Sequence, residues 1–195
     1  DSDYLQLRAL ISIIIDFSMR FTKVQQGKII RAIKLSAQWH KDQRRVDKTT
    51  PYIIHPLETA VFGIEIGRAT YKKLISAILH DNVEDESNSR KRTFLRKEIR
   101  RIFGHPIAEI VALLTKHRHL VHKERFFITL REAKNLYHKA DAIEVKFWDR
   151  IKNAETFGVF PKEKMSEKVE ETMREFPLLA QVLTKTLSHL DAKGR

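Results

Sequence analysis

The sequence predicts an all-α protein, on three observations. Apolar residues recur at helical spacing along most of the 195 residues, and no apolar–polar alternation lasts long enough for a strand. Turn-formers are scarce: six Gly and five Pro make about half the usual share of roughly 12%. So few tight turns disfavour a sandwich or barrel and favour long helices.

Each element follows in order. Leu7, Leu10, Ile11, Ile14 and Phe17 share one side of a first helix, which Ile13 and Ile15 widen. A second helix is expected at about 25–40, with Ile29, Ile30, Ile33 and Ala37 inward. Residues 41–50 are polar, with charges that have no period, and Thr50 precedes a proline that disfavours helix, so they form a loop ending in Pro51-Tyr52. Pro56 suits a helix start, and Leu57, Ala60, Val61 and Ile64 continue that third helix. A fourth, from about 71, buries Leu74, Ala77 and Ile78 and delivers His80-Asp81 at its end. The acidic run 81–89 reads as loop or ragged helix. A basic helix at about 93–103 is stopped by Gly104, and Pro106 opens another through Thr115. Beyond a loop rich in His and Lys, helices are expected at about 124–138, 140–157 and 163–187, the last two separated by Gly158 and Pro161. No repeat, low-complexity tract or long linker divides the chain, so one domain over 1–195 is expected.

Composition narrows the classes of function. Hydrophobic residues at 42% and charged residues at 32% are a globular balance. Zero cysteines exclude disulfides, thiolate zinc sites and cysteine nucleophiles together. The most apolar stretch, Leu7 to Met19, is broken by Arg8 and Asp16 and is too short to span a bilayer, and it lacks a cleavage site. A cytoplasmic protein without a membrane partner is the expectation. The net charge of +12 draws polyanions, whether nucleic acid, anionic lipid or a phosphorylated small molecule, and composition does not choose among them.

The chemistry concentrates in His80-Asp81-Asn82-Val83-Glu84-Asp85. If the helix continues, His80 with Glu84 and Asp81 with Asp85 are i, i+4 pairs. Clustered carboxylates repel, and a divalent cation would offset the repulsion. A solvated acidic helix end is the alternative, although it opposes the helix dipole. His55 stands at a rigid corner between Pro51-Tyr52 and Pro56. Asp149 lies in the apolar run Val145-Lys146-Phe147-Trp148-Asp149-Arg150, where it either pairs with Lys146 or Arg150 or serves a site.

The string Pro51-Tyr52-Ile53-Ile54-His55-Pro56-Leu57-Glu58, followed by Ala77-Ile78-Leu79-His80-Asp81 and Glu84-Asp85, resembles the HD-domain hydrolases of the RelA/SpoT type. Phe103-Gly104, Leu114-Thr115-Lys116, Val145-Lys146 to Asp149-Arg150, Asn153 and Thr156 match in family order, so the likeness covers about 28–157. Nothing resembles the synthetase half of the bifunctional enzymes. The chain is thus similar to small stand-alone alarmone hydrolases such as the metazoan SpoT homologues.

The resemblance implies an HD-type helical bundle around one metal, usually manganese, held by His55, His80, Asp81 and Asp149. It places the catalytic acidic pair on Glu84 and Asp85, which would orient or deprotonate water. It places nucleotide binding on Arg45, Tyr52, Asn153 and Thr156. The implied reaction is removal of the 3′-pyrophosphate from guanosine polyphosphates such as ppGpp. Alternatives are another HD-type nucleotide phosphatase, acting on NADPH or a nucleoside monophosphate, and a non-catalytic helical protein that binds nucleic acid. Glu84 and Asp85 together speak against the last, because binding alone needs neither. A homo-oligomer is compatible with the sequence. Independently of the family, Asp149, Asn153 and Thr156 at i, i+4 and i+7 share one helix face.

The chain departs from the family at two places. Val46, Asp47 and Lys48 stand where a basic residue and a glycine-containing turn are usual, and Glu155 stands at a usual arginine. Both changes remove positive charge near a pyrophosphate. The basic series Arg90, Lys91, Arg92, Arg96, Lys97, Arg100 and Arg101 is better explained as a solvated helix face than as an RNA site. His105, His117, His119, His122 and His138 read as exposed histidines rather than a second metal site, and Trp39 and His40 as core-edge packing.

Overall fold

The computed structural model describes residues 2–84, 86–115, 127, 129–130 and 132–193. They form α1 (Ser2–Ser18), α2 (Lys23–Trp39), α3 (Ile54–Glu65), α4 (Tyr71–Glu84), α5 (Ser89–Phe103), α6 (His105–Leu114), α7 (Leu136–Ala154), a short 3-10 turn (Phe157–Val159) and α8 (Lys162–Lys193). Extended pairing among the described residues is limited to an isolated bridge between Arg44 and Pro51. The all-α expectation holds.

Helix boundaries follow side-chain caps more closely than apolar periodicity. Thr22 and Gln25 form a reciprocal capping box that starts α2 two residues before the expected point. Asn88 accepts hydrogen bonds from the Arg90 and Lys91 amides, so α5 begins at Ser89 rather than near 93. The 81–84 segment is the last turn of α4, not loop. The expected break between helices near 139 is absent. Asn135 caps the His138 amide and starts α7 at Leu136, upstream of that break, with Ala140, Ala142 and Ile143 buried in continuous helix. Of the helix expected at about 124–138, Phe127, Thr129, Leu130 and Glu132 are helical, residues 133–135 are not, and residues 124–126, 128 and 131 lie outside the described residues. Gly104, at φ +92°, ends α5 and turns the chain directly into α6.

α4 is the central element. Every residue from Lys73 to Val83 is buried, and the helix packs against α2, α3, α6 and α7. A continuous hydrophobic cluster runs through it from Leu10 to Val182. Two further seams fix α7. On one side the Trp148 ring lies on Gly63 of α3, where an added Cβ would sit 2.6 Å from Cη2 and 2.7 Å from Cε3. On the other, Arg150 Nε lies 2.6 Å from Glu175 Oε2 of α8, both side chains about nine-tenths buried. Glycine at 63 thus sets how closely α3 and α7 approach.

Gly63→Ala should destabilise the protein by about 1–3 kcal/mol through overpacking. At this chain length that lowers the unfolding midpoint by roughly 3 °C per kcal/mol, measurable by circular dichroism. An unchanged midpoint would mean that the Trp148 ring moves aside without cost.

Candidate metal centre

Three helices bring their polar residues to one buried point. His55 lies in the first turn of α3, His80 and Asp81 in the last turns of α4, and Asp149 near the end of α7. His55 and Asp149 are 94 positions apart, yet His55 Nε2 is 3.1 Å from Asp149 Oδ1. His80 Nε2 is 3.5 Å from the same oxygen and 2.9 Å from Asp81 Oδ1, while Asp81 Oδ2 is 3.6 Å from His55 Nε2. One donor atom each from His55, His80 and Asp149 falls within 4.8 Å of the others.

The tautomer of His80 is set by its neighbour: Nδ1–H donates to the Ala77 carbonyl at 2.8 Å and leaves Nε2 turned to the carboxylates. That Nε2 is wholly buried and completes no aligned hydrogen bond. Two imidazoles and two carboxylates suit a borderline-hard divalent ion. An orphaned ring nitrogen aimed at carboxylate oxygens is what such an ion would satisfy, so the residues fit a metal.

The electrostatics agree. Burial disfavours the charged form of His80, but the Asp81 and Asp149 carboxylates outweigh it and hold its pKa well above the ordinary imidazole value. Burial likewise opposes ionised Asp149, yet the Lys146 ammonium and the two imidazoles hold its carboxyl well below the usual range. Lys146 Nζ is 2.8 Å from Asp149 Oδ2 and 3.7 Å from Glu84 Oε2, with the lysine side chain only 3% exposed. Against the burial that disfavours its charge, Asp149 and Glu84 raise the Lys146 pKa above the usual value. Sequence reasoning treated Lys146 only as an alternative partner of Asp149. Its second contact, to Glu84, depends on how α4 and α7 cross and has no signal in the sequence.

The expected nucleotide residues surround this centre. Asn153 donates to Asp149 Oδ1 at 2.6 Å. Arg45 Nη2 donates to Thr156 Oγ1 at 3.3 Å and reaches Asn153 Oδ1 at 3.5 Å, and its guanidinium lies 5.7 Å from the Tyr52 ring centre. The Tyr52 hydroxyl donates to Asp81 Oδ2 at 3.2 Å, and its ring stacks on His40 at 4.8 Å. Arg45, Val46, Asp47, Glu58 and Thr156 line a cavity of about 180 Å³ beside the centre. That is smaller than a typical whole-ligand pocket and nearer the size of one ring system.

The departures from the family pattern have local explanations. Lys48 takes φ +64°, the conformation that glycine adopts without strain. Asp47 holds the turn: its carboxylate accepts from the Thr49 and Thr50 amides and from the Thr50 hydroxyl, which lowers its pKa to about 2. Glu155 is exposed and paired with Lys152 at 2.5 Å, so its charge is balanced where it stands. Val46 lies at the cavity and is 53% exposed.

Asp85, His117, His119 and His122 lie outside the described residues. His138 and His105 share the Glu109 carboxylate at 2.8 and 3.9 Å. Among the described residues the His55, His80 and Asp149 group alone has the closeness a metal needs.

Comparison with known proteins places this geometry. Residues 32–183 match the family model described as the HD domain. The guanosine-3′,5′-bis(diphosphate) 3′-pyrophosphohydrolase of Aquifex aeolicus is 33% identical over 160 residues, covering 80% of this chain and 21% of that protein. The guanosine-3′,5′-bis(diphosphate) 3′-pyrophosphohydrolase MESH1 of Xenopus tropicalis is 36% identical over 127 residues, 64% of this chain and 66% of that protein. The chain therefore spans about a fifth of the Aquifex relative and just under two thirds of the Xenopus one. A solved structure of a metazoan ortholog of SpoT, described as hydrolyzing ppGpp, superposes with a TM-score of 0.58 at 22% identity, over 83% of this chain and 94% of that one. At that identity the likeness speaks to the fold. No helix among the described residues is long and apolar enough to cross a membrane.

A divalent ion at a hundred times its dissociation constant should add about 2.7 kcal/mol of stability by mass action. His80→Ala should lose that increment, which thermal unfolding with and without metal would read. A metal-dependent gain of equal size in the variant would place the ion elsewhere.

Proposed function

The chain belongs to the HD-domain family, and from that premise we propose that it is a metal-dependent hydrolase that removes the 3′-pyrophosphate from guanosine polyphosphates. His55, His80, Asp81 and Asp149 would hold the ion, with manganese the metal we favour. When bound, the ion would supply Lewis acidity and offset charge on phosphoryl oxygens.

The observation that supports this reading best is the position of Arg45. Its guanidinium bonds Thr156, reaches Asn153, which in turn holds Asp149, and lines the adjoining cavity. A nucleotide placed on Arg45 would thus put its base in the ring-sized cavity, its 3′-phosphates towards the carboxylates and its 5′-phosphates past the exposed Val46. The guanidinium plane can stack on a base while its edge donates hydrogen bonds. Glu84, whose Oε2 is 3.7 Å from Lys146 Nζ, would take a proton from the attacking water, with Asp85 the companion acid that the resemblance implies. The basic surface would concentrate the anionic substrate.

Val46 favours a second reading. An apolar residue at the cavity, where the family usually has a basic one, suits a less heavily phosphorylated nucleotide, such as one carrying a single ribose phosphate. Assaying the protein with manganese on guanosine tetraphosphate, NADPH and nucleoside monophosphates separates the two. Pyrophosphate released from the tetraphosphate supports the first reading, and orthophosphate released only from the others supports the second.

Glu84→Gln should keep the metal-dependent gain in stability and lose roughly 10²–10⁴-fold in turnover, the usual worth of acid–base help. Full turnover in that variant would remove Glu84 from the proton transfer. Val46→Lys should lower KM for the tetraphosphate several-fold with little change in kcat, since it adds binding common to ground and transition states. An unchanged KM would show that the phosphates do not pass Val46.

A further inference from the structure

Helix α5 carries seven basic residues and one acid, so 15 residues hold half of the chain's net charge of +12. A solvated face accounts for such a series on sequence grounds, but the structure adds two facts. The apolar side of the helix is fully used, with Leu95, Ile99 and Phe103 buried in the core. On the opposite side, Arg90, Phe94, Lys97 and Arg101 line up at i, i+4, i+7 and i+11, and the Phe94 ring is 57% exposed among these cations.

The partners of the cations also divide by position. Lys91 pairs with Glu86, Arg92 donates to the Glu86 carbonyl, and Arg101 pairs with Glu98. Arg90, Lys97 and Arg100 have no ion pair among the described residues. Among the described residues, the face therefore combines cations without ion pairs with one flat apolar ring that is not part of the hydrophobic core.

That combination selects among polyanions. A membrane-surface helix inserts an apolar face, whereas the apolar face of α5 is inside the protein and a single ring remains. Duplex nucleic acid keeps its bases stacked inside and would meet only the cations. A single strand offers phosphates at close spacing together with unstacked bases, whose π-faces bind aromatic rings regardless of sequence. We propose that the outward face of α5 binds single-stranded nucleic acid, with Arg90, Lys97 and Arg100 on phosphates and Phe94 beneath a base. The stripe from Arg90 to Arg101 is about 16 Å long at the helical rise, room for a few nucleotides. The proposal does not depend on the hydrolytic reading, because none of these residues touches the metal centre.

Fluorescence anisotropy with a labelled short oligouridylate, oligothymidylate, a matched duplex and phosphatidylserine vesicles tests it. Single strands should bind more tightly than duplex or vesicles, with a log–log salt slope of about −2 for three phosphates. Phe94→Ala should weaken single-strand binding roughly 5- to 100-fold and leave that slope unchanged. Replacing Arg90, Lys97 and Arg100 together by Gln should flatten the slope by about 2. All four side chains point to solvent, so unfolding midpoints should match the parent protein and confirm that the variants are folded. Equal affinity for duplex with no effect of Phe94→Ala, tighter binding to vesicles, or no binding at low salt would each overturn the proposal.

Discussion

Asp149 keeps a negative charge at 3% exposure, and the arrangement of the site depends on how that charge is compensated. Desolvating such an ion costs several kcal/mol, while one opposite charge at about 4 Å returns about 4 kcal/mol at a typical effective dielectric. One partner is thus barely sufficient, and Asp149 has several: His55, His80, Lys146 and Asn153, drawn from three helices. Asp81 and Glu84 bring two more carboxylates to the same neighbourhood, against the single ammonium of Lys146. Without an ion a proton on His80 offsets part of that excess, and with the imidazoles neutral, as ligation requires, the described residues are two positive charges short. One divalent ion would balance that deficit, which gives the donor set an electrostatic reason for a metal in addition to its geometric one.

The apolar packing is what makes these distances short. α4 is buried along its length and cannot rotate without moving the side chains of four neighbouring helices, so His80 and Asp81 have one orientation available. The height of α7 is fixed from both sides, by Trp148 on Gly63 just before the key carboxylate and by Arg150 on Glu175 just after it. The residues on either side of Asp149 are therefore anchors, and the carboxylate inherits their precision. The same logic explains Tyr52: stacked on His40 and bonded to Asp81, it ties the loop that carries Arg45 to the candidate metal centre.

Much of this was legible in the chain, for identifiable reasons. Helix positions follow from apolar spacing, which burial enforces, and the His80-Asp81 pair stands out because polar residues interrupt a strongly apolar helix. His55 and Asp149 needed the motif likeness, since nothing local says that residues 94 apart will meet. Helix starts were less legible where one capping asparagine, Asn88 or Asn135, outweighs the periodicity beyond it. The Asp47 turn was hidden because a carboxylate bonded to Thr49 and Thr50 replaces a glycine-containing turn, an exchange visible only in three dimensions. Glu155, which stands at a usual arginine, pairs with Lys152 one helical turn earlier, a contact that a comparison of residue types does not reveal.

The separation between His55 and Asp149 has a consequence for how the chain reaches its native state. His80 and Asp81 are neighbours on one helix and are present as soon as α4 forms, whereas His55 and Asp149 meet only when a long loop closes. Closing a loop of that length costs about 4 kcal/mol of chain entropy. A nascent chain would therefore hold a cation roughly a thousandfold more weakly than the finished fold. Tight ion capture would in this sense be a late folding event, with a bound metal acting as a latch that closes after the helices have docked rather than as a template around which they assemble.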